Sequence, residues 1–231
     1  MSRSLALVYR GPASLPGCPE AVGELLKNSG HNLEVRFTGP GEHLQLSPAT
    51  LQRAVLYAQP GGGDLEPAYR LMRRHAREIR SYVRSGGVYL GFCLGGYLAG
   101  ATPGYKLLPG DTDQYIASKS ALVSSAADTV LPVDWRGQRQ HVYFQDGPYF
   151  WLRPGARDVT VLARYTNRLI AALVVPCGAG TVAVVGPHPE ATADWYAEQG
   201  LPLPDDGAGY GLGQDLVETA LQFRREGTGR T

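Results

Sequence analysis

The stretch from residue 88 to residue 100 constrains the fold most strongly, because it places a cysteine between a buried strand and a helix. Residues 88–92 form a short apolar run after a glycine pair, which is typical of a central strand. Residues 94–100 are small or apolar and predict a packed helix. Cys93 therefore lies at the junction, and Gly91-Phe92-Cys93-Leu94-Gly95 has the spacing of a nucleophile elbow with cysteine in place of serine.

An elbow of this kind requires glycines, because the turn leaves no room for side chains two residues before and after the nucleophile. Gly91 and Gly95 meet this requirement. We expect a strained backbone at Cys93, with the sulfur held above the sheet edge and the N–H groups of the next helix directed at it. Their partial positive charge favours a thiolate. The alternative interpretation is a buried structural cysteine in a glycine-rich turn.

The first half of the chain alternates between strand and helix patterns. Predicted strands cover residues 5–9, 33–37, 54–58 and 88–92, and predicted helices cover residues 19–29, 47–52 and 66–85. Such alternation with right-handed crossovers predicts a flavodoxin-like, doubly wound α/β fold. In that fold a mostly parallel sheet carries helices on both faces.

The second half is richer in strands and more antiparallel. Residues 102–120 have no regular pattern. Predicted strands follow at residues 129–135, 141–145, 159–165, 169–176 and 181–186, with hairpin turns at 134–138 and 176–180 and helices at 191–199 and 214–225. We expect a single domain over residues 1–226 and a disordered tail at residues 227–231.

Composition and charge exclude several classes of protein. The chain has 231 residues, a formal net charge of +1, 43% hydrophobic residues and 19% charged residues. These values suit a globular protein and give no electrostatic reason to expect a nucleic acid or a membrane as a partner. No apolar segment is long enough for a bilayer span or a signal peptide, so we expect a cytoplasmic protein.

The three cysteines, Cys18, Cys93 and Cys177, have neither the number of a disulfide framework nor the spacing of a zinc site. Cys177 follows an apolar strand, so we interpret it as a core or turn residue. Cys18 lies in a predicted loop, and whether it lines a site stays open. We expect neither a metal ion nor an organic cofactor.

His188 and Glu190 follow the last predicted strand, as Cys93 follows residues 88–92. A cysteine nucleophile needs a base within hydrogen-bond reach, and the base needs a group that orients it. Prolines on both sides restrict the backbone of His188, and Glu190 can contact the far nitrogen of its imidazole. The alternative is a surface turn with an incidental ion pair.

Three consecutive glycines, 61–63, end the predicted strand at residues 54–58. Glycines at this edge of a doubly wound sheet let backbone N–H groups approach a ligand. The alternative is a flexible loop. The N–H of Leu94, together with one from Gly62 or Gly63, forms the candidate oxyanion hole.

Along the chain, Pro-Gly-Gly at residues 60–62 is followed by Gly-x-Cys-Leu-Gly at residues 91–95 and by His-Pro-Glu at residues 188–190. In this order the three motifs resemble the class I glutamine amidotransferase-like superfamily. The resemblance implies that Cys93 is the nucleophile, His188 the base and Glu190 its orienting group. The chain is also similar to the branch found as the N-terminal domain of eukaryotic biotin-protein ligases and as free-standing bacterial proteins. The residues that carry this closer resemblance are 9–12, 60–65, 79–97 and 143–150. Biotin transfer is not implied, since the ligase's catalytic domain is not among these residues.

One position departs from the superfamily. True amidotransferases usually have glutamine two residues after the second elbow glycine, where this chain has Tyr97. This argues against free glutamine as the substrate. The aromatic residues at 143–151 predict room for a bulkier ligand if that segment faces the site.

We therefore expect a Cys-His-Glu hydrolase or acyl/amido transferase that acts on amide C–N bonds through a Cys93 thioester. Candidate substrate contacts are Asp64, Tyr97, Gln145 and Asp146. The expected substrate is a small-molecule or peptide-like amide, and a homodimer or a partner enzyme that receives ammonia is compatible with the sequence. The alternative is a non-catalytic ligand-binding or regulatory module that retains the fold.

Overall fold

The computed structural model of the protein describes residues 3–205, 207 and 209–228. The strands are β1 (Ser4–Tyr9), β2 (Leu33–Thr38), β3 (Leu56–Gln59), β4 (Val88–Phe92), β5 (Gly110–Gln114), β6 (Thr129–Trp135), β7 (Gln138–Phe144), β8 (Pro148–Leu152), β9 (Thr160–Tyr165), β10 (Ile170–Cys177) and β11 (Gly180–Val185). The helices are α1 (Cys18–Lys27), α2 (Pro48–Gln52), α3 (Leu65–Met72), α4 (Ala76–Arg84), α5 (Leu94–Ala99), α6 (Ala193–Glu198) and α7 (Tyr210–Thr228). Short 3₁₀ turns occupy Arg73–His75 and Tyr115–Ala117.

The parallel part of the sheet has the order β2-β1-β3-β4-β11. This is the flavodoxin-like order of a doubly wound fold, so the predicted fold class is confirmed. β4 lies inside the sheet, and each of its residues is buried. A continuous apolar run suits such a strand, because helices cover both of its faces.

Helices pack on both faces of this parallel sheet. On one face, Leu25 of α1 and Leu216 of α7 belong to the same apolar cluster as Leu90 of β4. On the other face, Ile79 of α4 clusters with Tyr89 of β4. Consecutive residues of β4 thus enter opposite cores, because side chains alternate across a strand.

The antiparallel half continues from β11 through β10, β9, β6 and β7. Both predicted hairpin turns are present. The turn between β6 and β7 has Arg136 at φ 47° and Gly137 at φ 81°, and the turn between β10 and β11 has Gly178 at φ 64°. Positive φ at both central residues, as in the first turn, is typical of a type I′ hairpin, and positive φ at a first central glycine alone, as in the second turn, is typical of type II′.

The region expected to be irregular, residues 102–120, contains β5. This strand pairs antiparallel with β8, which the sequence analysis also missed. β5 reads Gly-Asp-Thr-Asp-Gln and carries no apolar alternation, so its pairing comes from tertiary contacts. Asp111 fixes its start, since one carboxylate oxygen accepts from the Ala101 N–H at 2.6 Å and the other from the Thr102 hydroxyl at 2.7 Å.

The single helix predicted over residues 66–85 is divided into α3 and α4 by the 3₁₀ turn at Arg73–His75. Leu71 lies in α3, close to the turn, and is 46% exposed although it is apolar. The apolar stripe of α4 does not continue through the turn, because a 3₁₀ helix has about 3 residues per turn and an α-helix has about 3.6. The two helices therefore bury faces that are out of phase.

The last helix, α7, begins four residues earlier and ends three residues later than predicted. Gly227 and Thr228 therefore belong to this helix, although the sequence analysis placed them in a disordered tail. Residues 229–231 lie outside the described residues. None of the described helices is long and apolar enough to span a membrane.

Candidate active site

The strand-to-helix turn at Cys93 has the geometry of a sharp elbow. Cys93 adopts φ 47° and ψ −104°, outside the regions that non-glycine residues usually occupy. A Cβ on Gly91 would collide with the Gly95 carbonyl oxygen, and a Cβ on Gly95 would collide with the Gln59 carbonyl oxygen. The strain and both glycines are therefore consequences of one close-packed turn.

Pairing of β4 with β11 brings the two predicted triad segments together. The strands are parallel, with Phe92 opposite Val185, and the Cys93 N–H donates to the Val185 carbonyl at 2.9 Å. Parallel neighbours end at the same sheet edge, so the chain that leaves β11 delivers His188 beside Cys93. The Cys93 thiol lies 3.5 Å from the Gln145 carbonyl oxygen.

His188 is held from several sides. Its backbone N–H donates to the Tyr143 carbonyl at 2.8 Å. Its Nδ1 lies 2.8 Å from Glu190 Oε1 and must be the donor if the carboxylate is ionised. That tautomer leaves Nε2 as the ring nitrogen available to Cys93, whose side chain forms a hydrogen bond with His188. The structure thus brings the three predicted residues together in the order sulfur, imidazole, carboxylate.

Burial and charge act in opposite directions on His188. Burial acts to lower its pKa, but the charges of Cys93 and Glu190 and the hydrogen bonds to both outweigh burial, so the pKa lies well above its usual range. His188 is 3% exposed and Glu190 is fully buried. The second carboxylate oxygen of Glu190 has no hydrogen-bond partner among the described residues. The contacts on both sides of the ring thus favour the protonated imidazole.

The glycine loop 61–63 packs directly against the triad. A Cβ on Gly61 would lie 2.8 Å from the His188 Cε1 atom, and a Cβ on Gly62 would lie 2.5 Å from the Leu94 Cδ2 atom. A Cβ on Gly63 would meet no atom within 4 Å. Within the described part of the chain, the N–H groups of Gly62, Gly63 and Leu94 donate to no protein acceptor. No protein acceptor among the described residues therefore competes with a ligand for these three N–H groups.

A cavity of about 400 Å³ opens in front of Cys93. All of the predicted oxyanion and substrate residues line it: Leu94, Gly62, Gly63, Asp64, Tyr97, Gln145 and Asp146. His188 instead lines a smaller neighbouring cavity of about 210 Å³. Glu190 lines neither and lies behind His188.

Tyr97 and Asp146 are fixed to each other at the wall of the larger cavity. The Tyr97 hydroxyl donates to the Asp146 carbonyl at 3.1 Å. Gln114 Nε2 donates to both Asp146 carboxylate oxygens, at 2.8 and 2.9 Å. Burial raises the pKa of Asp146 and also that of Tyr97. The sequence analysis missed Gln114, because it comes from β5, a strand without an apolar pattern.

The aromatic segment contributes less to the site than expected. Tyr143 lines the smaller cavity, but Phe144 and Phe150 are buried in the core and Trp151 is 43% exposed. The strand pleat explains this, because alternate residues of β7 and β8 point to opposite faces. The segment as a whole therefore does not face the site.

The question left open for Cys18 has an answer in the structure. Cys18 is buried, and its sulfur would lie 3.4 Å from a Cβ on Gly61. It also lines the smaller cavity. Burial raises its pKa well above the ordinary value for a thiol. Cys177 lies partly buried at the end of β10, as expected for a core or turn residue, and burial raises its pKa as well.

Comparison with known proteins places the chain in a family. The sequence profile described as "Biotin-protein ligase, N terminal" matches residues 5–123, just over half of the chain. The chain belongs to the biotin-protein ligase N-terminal family. The matched region contains Cys93 and the glycine loop 61–63, whereas His188 and Glu190 lie beyond it.

One relative of the chain is a biotin-protein ligase from Schizosaccharomyces pombe. It is 28% identical over 177 residues, which are 65% of this chain and 27% of that protein. The chain therefore spans a little more than a quarter of the relative it matches. The likeness leaves most of the ligase unmatched.

Solved structures share the fold across most of the chain. A crystal structure of a glutamine amidotransferase has a TM-score of 0.57 and 20% identity, with coverage of 80% of this chain and 90% of that chain. A glutamine amidotransferase from Methylobacillus flagellatus has a TM-score of 0.56 and 15% identity, with coverage of 97% and 94%. The protein therefore has the glutamine amidotransferase-like fold that its motifs imply.

Proposed function

We propose that this member of the biotin-protein ligase N-terminal family is an amide hydrolase or acyl/amido transferase that acts through a Cys93 thioester. One observation carries the proposal. The imidazole of His188 is buried and hydrogen-bonded to both Cys93 and Glu190, and it lines the smaller cavity next to the one that the strained cysteine turn faces. A structural cysteine would need neither the strain nor the buried base.

In the first half-reaction, the sulfur of Cys93 attacks the amide carbon and the carbonyl oxygen becomes an oxyanion. The N–H groups of Leu94 and of Gly62 or Gly63 then donate to that oxyanion. One such donor contributes roughly 3–4 kcal/mol to transition-state stabilisation. His188 transfers its proton to the departing nitrogen as the C–N bond breaks, so an amine leaves and the acyl group stays on sulfur.

The second half-reaction uses the same imidazole as a base. Once Cys93 is acylated it carries no negative charge, and one of the causes that raise the pKa of His188 is removed. The neutral imidazole can then accept a proton from the water or amine that attacks the thioester. Glu190 keeps the ring in the same orientation in both half-reactions, because it holds Nδ1.

Free glutamine fits this cavity poorly. Tyr97 stands where amidotransferases hold glutamine through an amide side chain, and its hydroxyl already donates to the Asp146 carbonyl. The cavity of about 400 Å³ has room for a ligand larger than glutamine. We therefore propose a substituted small-molecule or peptide-like amide as the substrate, with Asp64, Gln145 and Asp146 as its polar contacts.

The test is an activity screen. Purified protein is incubated with glutamine, other primary amides, short peptides and γ-glutamyl compounds, and the release of ammonia or amine is measured. Cys93→Ala should abolish turnover, whereas Cys177→Ala, the matched control, should retain it. Intact-mass spectrometry on wild-type protein should show an acyl adduct on Cys93.

Two results would contradict this proposal in different ways. Cys93-dependent glutamine hydrolysis with kcat/KM of about 10⁴ M⁻¹s⁻¹ or more would restore a conventional glutaminase. Saturable ligand binding without turnover of any amide would favour the alternative, a non-catalytic binding or regulatory module.

A further inference from the structure

Two separate cavities meet at the catalytic pair. The larger cavity is lined by Cys93 but not by His188, and the smaller one is lined by His188 but not by Cys93. Leu15, Gly62 and Gln145 line both cavities, so the two cavities adjoin at these residues. The sulfur and the imidazole therefore face two adjoining compartments.

The smaller cavity has aromatic walls. The ring centroids of His188 and Trp195 lie 5.5 Å apart, those of Tyr143 and Trp195 also 5.5 Å, and those of Tyr143 and His188 6.0 Å. The rings meet edge to face. Tyr143 and Trp195 thus line a compartment of about 210 Å³ as part of one aromatic cluster.

The charged lining of the same cavity is anionic. Asp128 and Glu198 supply carboxylates, and no lysine or arginine is among the described residues that line it. Asp128 accepts a hydrogen bond from the Tyr143 hydroxyl and another, at 3.4 Å, from Gln145 Nε2. It forms no ion pair within the described residues. A carboxylate without a cationic partner beside tyrosine and tryptophan rings is an environment that favours an organic ammonium ion.

We propose that the cavity beside His188 is an amine subsite, which binds the amine that leaves the acyl group or attacks it, while the acyl group occupies the cavity beside Cys93. This inference rests on the proposed thioester chemistry and specifies where its nitrogen partner binds. The compartment is next to the one group that exchanges a proton with that nitrogen. The two cavities adjoin, so the nitrogen of an amine bound beside His188 can approach the acyl carbon on Cys93 directly at their junction.

The chemistry balances without a further reactant. In acyl transfer, the nitrogen of a neutral amine forms a bond to the thioester carbon, and His188 accepts the proton that the nitrogen loses. The C–S bond then breaks, and His188 returns the proton to the sulfur. The reverse sequence releases the amine from an amide substrate into the same compartment. Asp128 binds the ammonium form before transfer, and the ammonium ion loses one proton to solvent before its nitrogen attacks. After release the amine takes up a proton from solvent, and Asp128 binds the ammonium form again.

Benzylamine is a suitable probe, because it combines one aromatic ring with one ammonium group. Benzyl alcohol has the same shape without the charge. Binding of each to the Cys93→Ala protein is measured by calorimetry, so that no turnover interferes. We expect benzylamine to bind about tenfold more tightly than benzyl alcohol.

The variants locate the binding site. Asp128→Asn keeps an oxygen that can accept from Tyr143, so the fold should survive, and it should remove most of the tenfold preference. Trp195→Leu should weaken benzylamine binding as well. Asp194→Asn is the matched control, since Asp194 is exposed on the same helix as Trp195 and does not line the cavity. It should leave the affinity unchanged.

Failure of this inference and failure of the proposed function give different results. Equal affinity for the two probes, or a preference that Asp128→Asn leaves intact, would overturn the amine subsite whatever the protein catalyses. Asp128-dependent binding of benzylamine without Cys93-dependent turnover would leave the amine site standing and remove the proposed function. In the wild type, we expect benzylamine added to a turnover reaction to yield the benzylamide.

Discussion

The structure contains two histidine–glutamate pairs with similar geometry and different surroundings. In His188–Glu190 the ring nitrogen and the carboxylate oxygen are 2.8 Å apart, and in His75–Glu78 they are 3.0 Å apart. The first pair is buried, whereas the side chains of the second are 16% and 32% exposed. The difference lies in the other ring nitrogen. Nε2 of His75 accepts a hydrogen bond from Arg74 at 3.0 Å, whereas Nε2 of His188 has Cys93 as its partner.

The partner of the second ring nitrogen therefore decides whether a His–Glu pair can exchange a proton with a ligand. Arg74 occupies that position at His75 and leaves no proton to exchange with a ligand. At His188 the position belongs to a thiol at a strained turn, beside two cavities. Four predictions test this difference between the two pairs, in order of decreasing effect.

Removal of the carboxylate partner should have the largest effect. Glu190→Gln should keep the fold and lower kcat by roughly 10²–10⁴-fold, because the imidazole loses the group that sets its tautomer and stabilises its charge. His188→Ala should lower kcat at least as much. Glu78→Gln makes the same change in the other pair and should leave kcat unchanged. The measurement is steady-state kinetics on whichever amide the screen identifies, and full kcat in Glu190→Gln would make Glu190 a structural residue only.

A methyl group at the glycine loop should have a smaller effect. The Cβ of Gly61→Ala would lie 2.8 Å from His188 Cε1, and the ring cannot yield freely because Glu190 holds it. We expect kcat to fall by roughly 10–100-fold through a misplaced base. Gly63→Ala meets open space and is the control. Equal kinetics for the two variants would show that the loop does not position His188.

The three cysteines should differ in reactivity. Cys93 should be alkylated about tenfold faster than Cys18 and Cys177 near neutral pH, since burial raises the pKa of both other thiols and Cys93 has a histidine partner. Limiting iodoacetamide followed by peptide mass spectrometry measures the order. His188→Ala should remove the advantage and His75→Ala should not. Preferential labelling of Cys177 would refute the assigned roles.

The smallest effect concerns the titration of His188. Its pKa should fall in Cys93→Ala, since that change removes a charge and a hydrogen bond that raise it, while burial continues to lower it. The folded pKa of the wild-type residue is above the unfolded value of about 6.5. Its contribution to stability is therefore complete below about pH 6.5 and is lost as pH rises through the folded pKa. NMR titration of the His188 imidazole in the wild type and in Cys93→Ala tests this, and an unchanged pKa would show that Cys93 does not act on His188.

The sequence predicted those parts of the fold and the site that local patterns encode. The elbow followed from Gly91 and Gly95, and the sheet order followed from the alternation of strands and helices. β5 was missed because its polar residues pair with a strand almost forty residues away. Asp128 and Trp195 were missed for a related reason. Neither belongs to a motif. Asp128 reaches Tyr143 because β6 pairs with β7, and Trp195 reaches His188 because α6 folds back on the turn after β11.

The separation of the catalytic residues along the chain has a consequence for folding. Cys93 and His188 are 95 residues apart (188 − 93), and the intervening segment contains all strands from β5 to β10. β11 can join β4 only after that long loop closes, and closure of long loops slows folding more than it reduces stability. During refolding from denaturant, the helical signal of the first half should therefore recover first. The capacity to form an acyl adduct should return last, at the rate at which β11 docks between β4 and β10.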